Sequence, residues 1–143
     1  MGMTYRATDV QTANIFLDLI RGYGEPPDVR GEDDVVPGAA GREEGDWEAD
    51  RLRILLEGWV KGTGATLVAQ QQSWRTSTDA LMALMNRAAS PGALVITAPY
   101  YGLAAGSKTI QARCVNVVPG PIQAAMTFQR WSFELVAIDP EWV

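Results

Sequence analysis

Hydrophobic and polar residues alternate along the end of the chain. In the stretch from Phe128 to Trp142, Trp131, Phe133, Leu135 and Ala137 fall on one side and Arg130, Ser132 and Glu134 on the other. Successive side chains of a strand point to opposite faces, so the pattern predicts a long strand with one dry and one wet face. Pro140 has no N–H to give to a ladder and biases Asp139 towards an extended or turn conformation, so pairing is expected to end at Asp139-Pro140-Glu141-Trp142, where the chain leaves the sheet. The same alternation runs from Arg51 to Lys61, with Leu52, Ile54 and Leu56 inward and Arg51, Arg53 and Glu57 outward.

Other elements are read less directly. Ala13 to Arg21 is apolar on both sides except at Asp18 and is terminated by Gly22, Gly24 and Pro26-Pro27; a strand is the first reading, a short helix the alternative. From Pro26 to Glu48 the composition turns to Pro, Gly, Asp and Glu, with Val29, Val35 and Val36 as the aliphatic anchors before Trp47. Loops of this length inside a compact domain are usually functional or disordered, and a hairpin arm that orders against a partner fits both descriptions.

Leu67 to Ala88 contains neither Gly nor Pro and sets Trp74, Leu81, Leu84, Met85 and Ala88 at helical spacing. It predicts a helix, with a break near residues 76–78 if Thr78 caps internally, and a stop at Ser90-Pro91-Gly92. Strands are expected over Ala93–Ala98 and Ser107–Val118. In the second of these the apolar face changes near Cys114, which requires a bulge or burial of both faces. Pro119-Gly120-Pro121 reads as a turn before the last strand, taken from Ala124 to Ile138. Leu52, Ile54, Leu56, Trp59, Leu81, Met85, Trp131, Phe133 and Leu135 are the expected core anchors. The order predicts an α+β domain: an antiparallel β-sandwich or small barrel with one helix packed on it and a long extended arm over about residues 25–48.

Composition then narrows the chemistry. With 143 residues, 47% of them hydrophobic, the chain suffices for one domain with a real core and not for two. No apolar run approaches a membrane span, the N-terminus lacks the apolar block of a signal peptide, and Arg6 spoils the match of Met1-Gly2 to a myristoylation signal. No membrane insertion by this chain is expected. There is no histidine, which removes His-based acid–base catalysis, Ser-His triads and most zinc sites. The single cysteine, Cys114, excludes an intrachain disulfide and a CxxC motif, and its alternating surroundings mark it as core. A net charge of −5 argues against a nucleic-acid grip.

Three local features have bland readings. Lys61-Gly62-Thr63-Gly64 lacks the further glycines and Lys-Ser or Lys-Thr of a phosphate loop and reads as a strand-to-helix turn. The carboxylates Glu32, Asp33, Asp34, Glu43, Glu44, Asp46, Glu48 and Asp50 do not match the spacing of an EF-hand and read as solvated charge. Tyr100-Tyr101 sits in a Gly/Ala-rich loop, where it either stacks on a sugar or nucleotide or, the favoured reading, packs against a neighbouring subunit. No catalytic residue, metal site or cofactor is assigned.

In linear order the chain resembles a family, the distal tail proteins of long-tailed bacteriophages, in their N-terminal tail-tube-like domain. The features that carry the resemblance are the extended acidic loop with Val36-Pro37-Gly38-Ala39-Ala40-Gly41-Arg42, the strand ending in Glu57-Gly58-Trp59-Val60, a helix, a Gly-led strand from Gly92, and the closing Trp131-Ser132-Phe133-Glu134-Leu135-Val136-Ala137-Ile138-Asp139-Pro140-Glu141-Trp142. It covers the chain from about Ile15 onward. Many members add a C-terminal galectin-like module that binds carbohydrate; no such role is expected of these residues.

The resemblance implies a structural protein of the virion, not an enzyme: a ring, usually hexameric, at the tail tip between the tail tube and the hub. Implied partners are further copies of the chain, the tail tube protein, hub or tip proteins and the tape measure protein, with DNA only in transit. The implied place is the virion tail tip after synthesis in the host cytoplasm. Val36, Pro37, Gly38, Gly41, Arg42 and Trp47 are then an assembly arm, and Arg130, Ser132 and Glu134 face the channel. Sheets of neighbouring copies joining edge to edge would satisfy their open strand margins. A tube or tube-terminator subunit of the same fold is the nearest alternative, and a small ligand-binding or catalytic β-barrel is the alternative of another class.

Overall fold

The computed structural model describes residues 2–24, 29–30, 34–35, 42–43, 48–49 and 51–143. In chain order its strands are β1 (Met3–Tyr5), β2 (Thr8–Asp9), β3 (Ile15–Arg21), β4 (Val29–Arg30), β5 (Asp34–Val35), β6 (Arg42–Glu43), β7 (Glu48–Ala49), β8 (Leu52–Lys61), β9 (Gly92–Thr97), β10 (Ser107–Gln123) and β11 (Phe128–Ala137). The helix α1 (Leu67–Leu84) lies between β8 and β9, and a short 3-10 turn spans Tyr100–Gly102.

Seven strands form one antiparallel sheet in the order β2-β1-β9-β10-β11-β8-β3. β10 is its long spine, pairing with β9 through Ser107–Ala112 and with β11 from Arg113 onward. The class is α+β, as expected, but the sheet is open and not a closed barrel. The margin strand β2 has two residues, and β3 reaches that side through a single bridge, Gln11 to Phe16, and the Leu17 N–H to Val10 O bond of 2.9 Å. Four short strands pair as antiparallel ladders, β4 with β7 and β5 with β6.

The core follows from strand parity. Leu52, Ile54, Leu56 and Val60 of β8 and Trp131, Phe133, Leu135 and Ala137 of β11 are all buried; across the ladder Leu52 faces Ala137, Ile54 faces Leu135 and Leu56 faces Phe133, while Trp131 faces Gly58 and Val60 faces Gln129. Trp59 is a correction to the expected core: it occupies an odd position of β8, half-buried on the opposite face, because even positions of that strand point inward. Tyr5 and Met3 of the N-terminal hairpin add to the core, and the Tyr5 hydroxyl donates to Ala112 O at 3.0 Å.

The helix begins at the N-cap Thr66, whose Oγ1 accepts from the Ala69 N–H at 3.2 Å. It turns Trp74, Leu81 and the cap residue Met85 inward and runs without a break, since the Thr78 hydroxyl makes no capping bond. Gly62 lets it dock, because a Cβ there would collide with the Gln70 carbonyl oxygen of the helix backbone.

Two turns differ from expectation. Pro119-Gly120-Pro121 lies inside β10 as a register shift, and the hairpin turn is instead formed by residues 124–127, with Ala124, Ala125 and Met126 at φ 50, 54 and 65°. A second shift falls between Cys114 and Asn116, where the change of apolar face required one. Pairing of β11 ends at Ala137, next to Asp139-Pro140 as expected, and the tail beyond it folds back on the domain. Trp142 Nε1 donates to Gly22 O at 2.8 Å, and Val143 exchanges both backbone hydrogen bonds with Thr109, at 2.8 and 3.0 Å.

Candidate functional site

The outer face of β3, β8, β11 and β10 carries side chains that the core does not use. An aromatic row crosses it: Phe16 stacks on Trp59 at 5.8 Å between ring centroids, and Trp59 on Phe128 at 6.2 Å. Arg130 is the cross-strand partner of Trp59. One step along the strands Asp18, Glu57 and Ser132 lie side by side, and Glu134 pairs with Leu55 beyond them. A shallow groove of ≈ 450 Å³ follows the face, lined by residues including Asp18, Glu57, Trp59, Val118 and Arg130. Arg130 is exposed and Ser132 and Glu134 are half-buried, so all three residues of the wet side of β11 point away from the core.

The loop between β9 and β10 is tied to its own chain rather than left as a stacking platform. Tyr101 is held at φ 56°, and its hydroxyl accepts from the Leu19 N–H at 3.1 Å and from Gln11 Nε2 at 3.2 Å while donating to Asp18 Oδ1 at 3.0 Å. Tyr100 lies over Gly2, where any Cβ would overlap its ring. Tyr101 is therefore packed within the chain, while Tyr100 stays partly exposed.

Burial pushes the Tyr101 phenol up from its ordinary 10.0 to about 12; the Leu19 N–H opposes this rise and the Asp18 carboxylate adds to it. A folded-state value above the unfolded one means that the contribution is intact below the unfolded value and is lost as pH rises through the folded one. Stability should therefore fall between pH 10 and about 12, and Tyr101→Phe, less stable at neutral pH, should show a flatter loss over that window in urea-unfolding midpoints.

The other expectations are placed as follows. Leu52, Ile54, Leu56, Leu81, Met85, Trp131, Phe133 and Leu135 are buried. Cys114 is buried too; desolvation raises its thiol, and its Sγ sits 3.5 Å from the Asn116 carbonyl, a poor setting for a nucleophile. Of the assembly arm, Val36, Pro37, Gly38, Gly41 and Trp47 lie outside the described residues, and only the strand backbone of Arg42 is described, paired with Val35. Most of the acidic loop residues share that position. Sequence reasoning missed the aromatic row, for which the signal was Phe16, Trp59 and Phe128 at outward parity.

No protein-family model and no curated protein matches the chain. Among solved structures it is similar to the Dit protein of phage SPP1, described as a paradigm of the hub adsorption apparatus in phages that infect Gram-positive hosts, with 14% identity, a TM-score of 0.66, and coverage of 97% of this chain and 50% of that one. It also matches Hcp1 from Flavobacterium johnsoniae at 14% identity over 99% of this chain and 96% of that one, with a TM-score of 0.36. The fold is that of a phage distal tail protein, and the chain spans about half the length of SPP1 Dit.

Proposed function

We propose that this chain is a structural subunit of a bacteriophage tail. It forms a closed homo-oligomeric ring, hexameric by the family's habit, at the distal end of the tail, where it joins the tube to the hub and surrounds the channel through which DNA passes. One observation carries this reading: nearly the whole chain shares the SPP1 Dit fold. Ring partners, tube, hub and tape measure proteins are the proposed neighbours, and the virion tail tip the proposed location.

In this proposal Arg130, Ser132 and Glu134 face the channel. Their alternation of charge suits passage, because phosphate adhesion needs a run of cations and this strip has none. The segment with Val36, Pro37, Gly38, Gly41, Arg42 and Trp47 is proposed as the arm that engages a neighbour.

Negative-stain microscopy and mass photometry of the purified chain, alone and with its tube and hub proteins, should show closed rings. A monomer at every concentration that also fails to bind tubes would overturn the proposal. Deleting residues 37–45 should leave the circular dichroism spectrum intact and abolish rings; normal assembly of that deletion would remove the arm from the account.

A further inference from the structure

Along the margins of the half-sheet β3-β8-β11-β10 several backbone groups are already taken or missing. On β3 the N–H groups of Ile15, Leu17 and Leu19 are already given to Thr12 Oγ1 (3.0 Å), Val10 O (2.9 Å) and Tyr101 Oη (3.1 Å). The carbonyls of Ile15 and Leu17 accept from the Thr12 N–H (2.6 Å) and Gln11 Nε2 (2.9 Å). On β10, beyond the part paired with β9, the Val117 N–H is taken by Asn116 Oδ1 at 3.0 Å, and Pro119 and Pro121 have no N–H to offer. Prolines and side-chain caps of this kind are how sheet margins avoid further pairing. Side chains are therefore what these margins chiefly offer to a neighbouring copy.

Two like-charged pairs of opposite sign stand at these margins. Asp18 and Glu57 are exposed and directly opposed across β3 and β8, an arrangement that costs stability in an isolated sheet. At the β10 margin, Arg87 and Arg113 are both exposed and line a second open groove beside Cys114 and Val115. The side chains of Glu57, Arg87 and Arg113 have no hydrogen-bond or ion-pair partner among the described residues. A head-to-tail contact between identical subunits needs two different patches that complement each other. These two do so in charge, and charge complementarity of this sort fixes partner and register.

We propose that the β10 margin of one copy, through Arg87 and Arg113, docks on the Asp18 and Glu57 pair at the β3 margin of the next. The inference rests on the ring reading and names the surface that would make the ring.

A charge-swap experiment tests it. One variant carries Asp18→Asn and Glu57→Lys, the asparagine keeping an oxygen for the Tyr101 hydroxyl; the other carries Arg87→Glu and Arg113→Glu. Each variant alone should self-associate at least about tenfold more weakly than the natural chain by sedimentation velocity, with an unchanged circular dichroism spectrum. An equimolar mixture should recover assembly, because each altered patch then meets its altered complement in alternating copies. Higher salt should weaken the natural assembly. Rings of the natural chain together with undiminished assembly of both variants overturn the inference and leave the ring reading standing. So does a mixture that stays dissociated. A natural chain that never associates overturns both. If a variant fails to fold, Glu57→Gln and Arg113→Gln take its place, with a weaker loss of association expected and an undiminished one overturning the inference.

Discussion

Gly58→Ala should destabilise the fold by about 3 kcal/mol or more, measured as a lower urea midpoint at unchanged slope. Gly58 sits in the middle of β8, opposite Leu17 on β3 and Trp131 on β11. A Cβ on it would overlap the Phe16 carbonyl oxygen and crowd the Phe16 carbonyl carbon and the Leu17 Cα. These are backbone atoms of a paired strand, so nothing flexible can swing aside, and relief requires β3 to move off β8. That movement would also withdraw Leu17 from the core and break the Leu19 contact with Tyr101. Gly24→Ala is the comparison: Gly24 has φ +78° and nothing within 4 Å of a built Cβ, so only backbone strain of about 1 kcal/mol is at stake. Equal costs at the two positions would show that the close approach of β3 to β8 does not matter.

How far the fold was legible depended on how long each element was and on which side of the sheet it lay. β8, β11 and α1 were readable to within a few residues because half-buried elements of ten or more residues carry several repeats of their period. The hairpin β1-β2 was not readable, since three- and two-residue strands have too few positions for a pattern. Pro119-Gly120-Pro121 looked like a turn because proline usually ends pairing; at the outer margin of a sheet an absent N–H costs nothing, and β10 continues through the segment with a register shift. Trp59 was counted with the core although its odd position in β8 sends it outward.

The candidate surface was legible in part for the same reason. Alternation alone separated Arg130, Ser132 and Glu134 from the buried side of β11. The role of Tyr101 was invisible, because its partners Asp18 and Gln11 are 83 and 90 residues away along the chain. Its hydroxyl ties the β9–β10 loop to both, and only the folded topology brings those three residues together.

Trp131→Ala should cost about 3–5 kcal/mol, the range for a large aromatic removed from a packed interior. Trp131 is 7% exposed and stacks in parallel on Phe133 with ring centroids 5.8 Å apart. Its indole N–H, however, is buried without a hydrogen-bond partner among the described residues. Trp131→Phe therefore forfeits no hydrogen bond, and release of an unpaired N–H worth roughly 1–3 kcal/mol of desolvation offsets the lost volume. That variant should stay within about 1 kcal/mol of the natural chain. Trp59→Ala provides the opposite test, since it removes a half-exposed ring and its stacking on Phe16 and Phe128, at about 1 kcal/mol. If the outer face serves contacts between molecules, Trp59→Ala should lower association at nearly natural stability, whereas Trp131→Phe should leave association unchanged. A Trp59→Ala chain that loses as much stability as Trp131→Ala while associating normally would return Trp59 to the core and leave the aromatic row without a role in assembly.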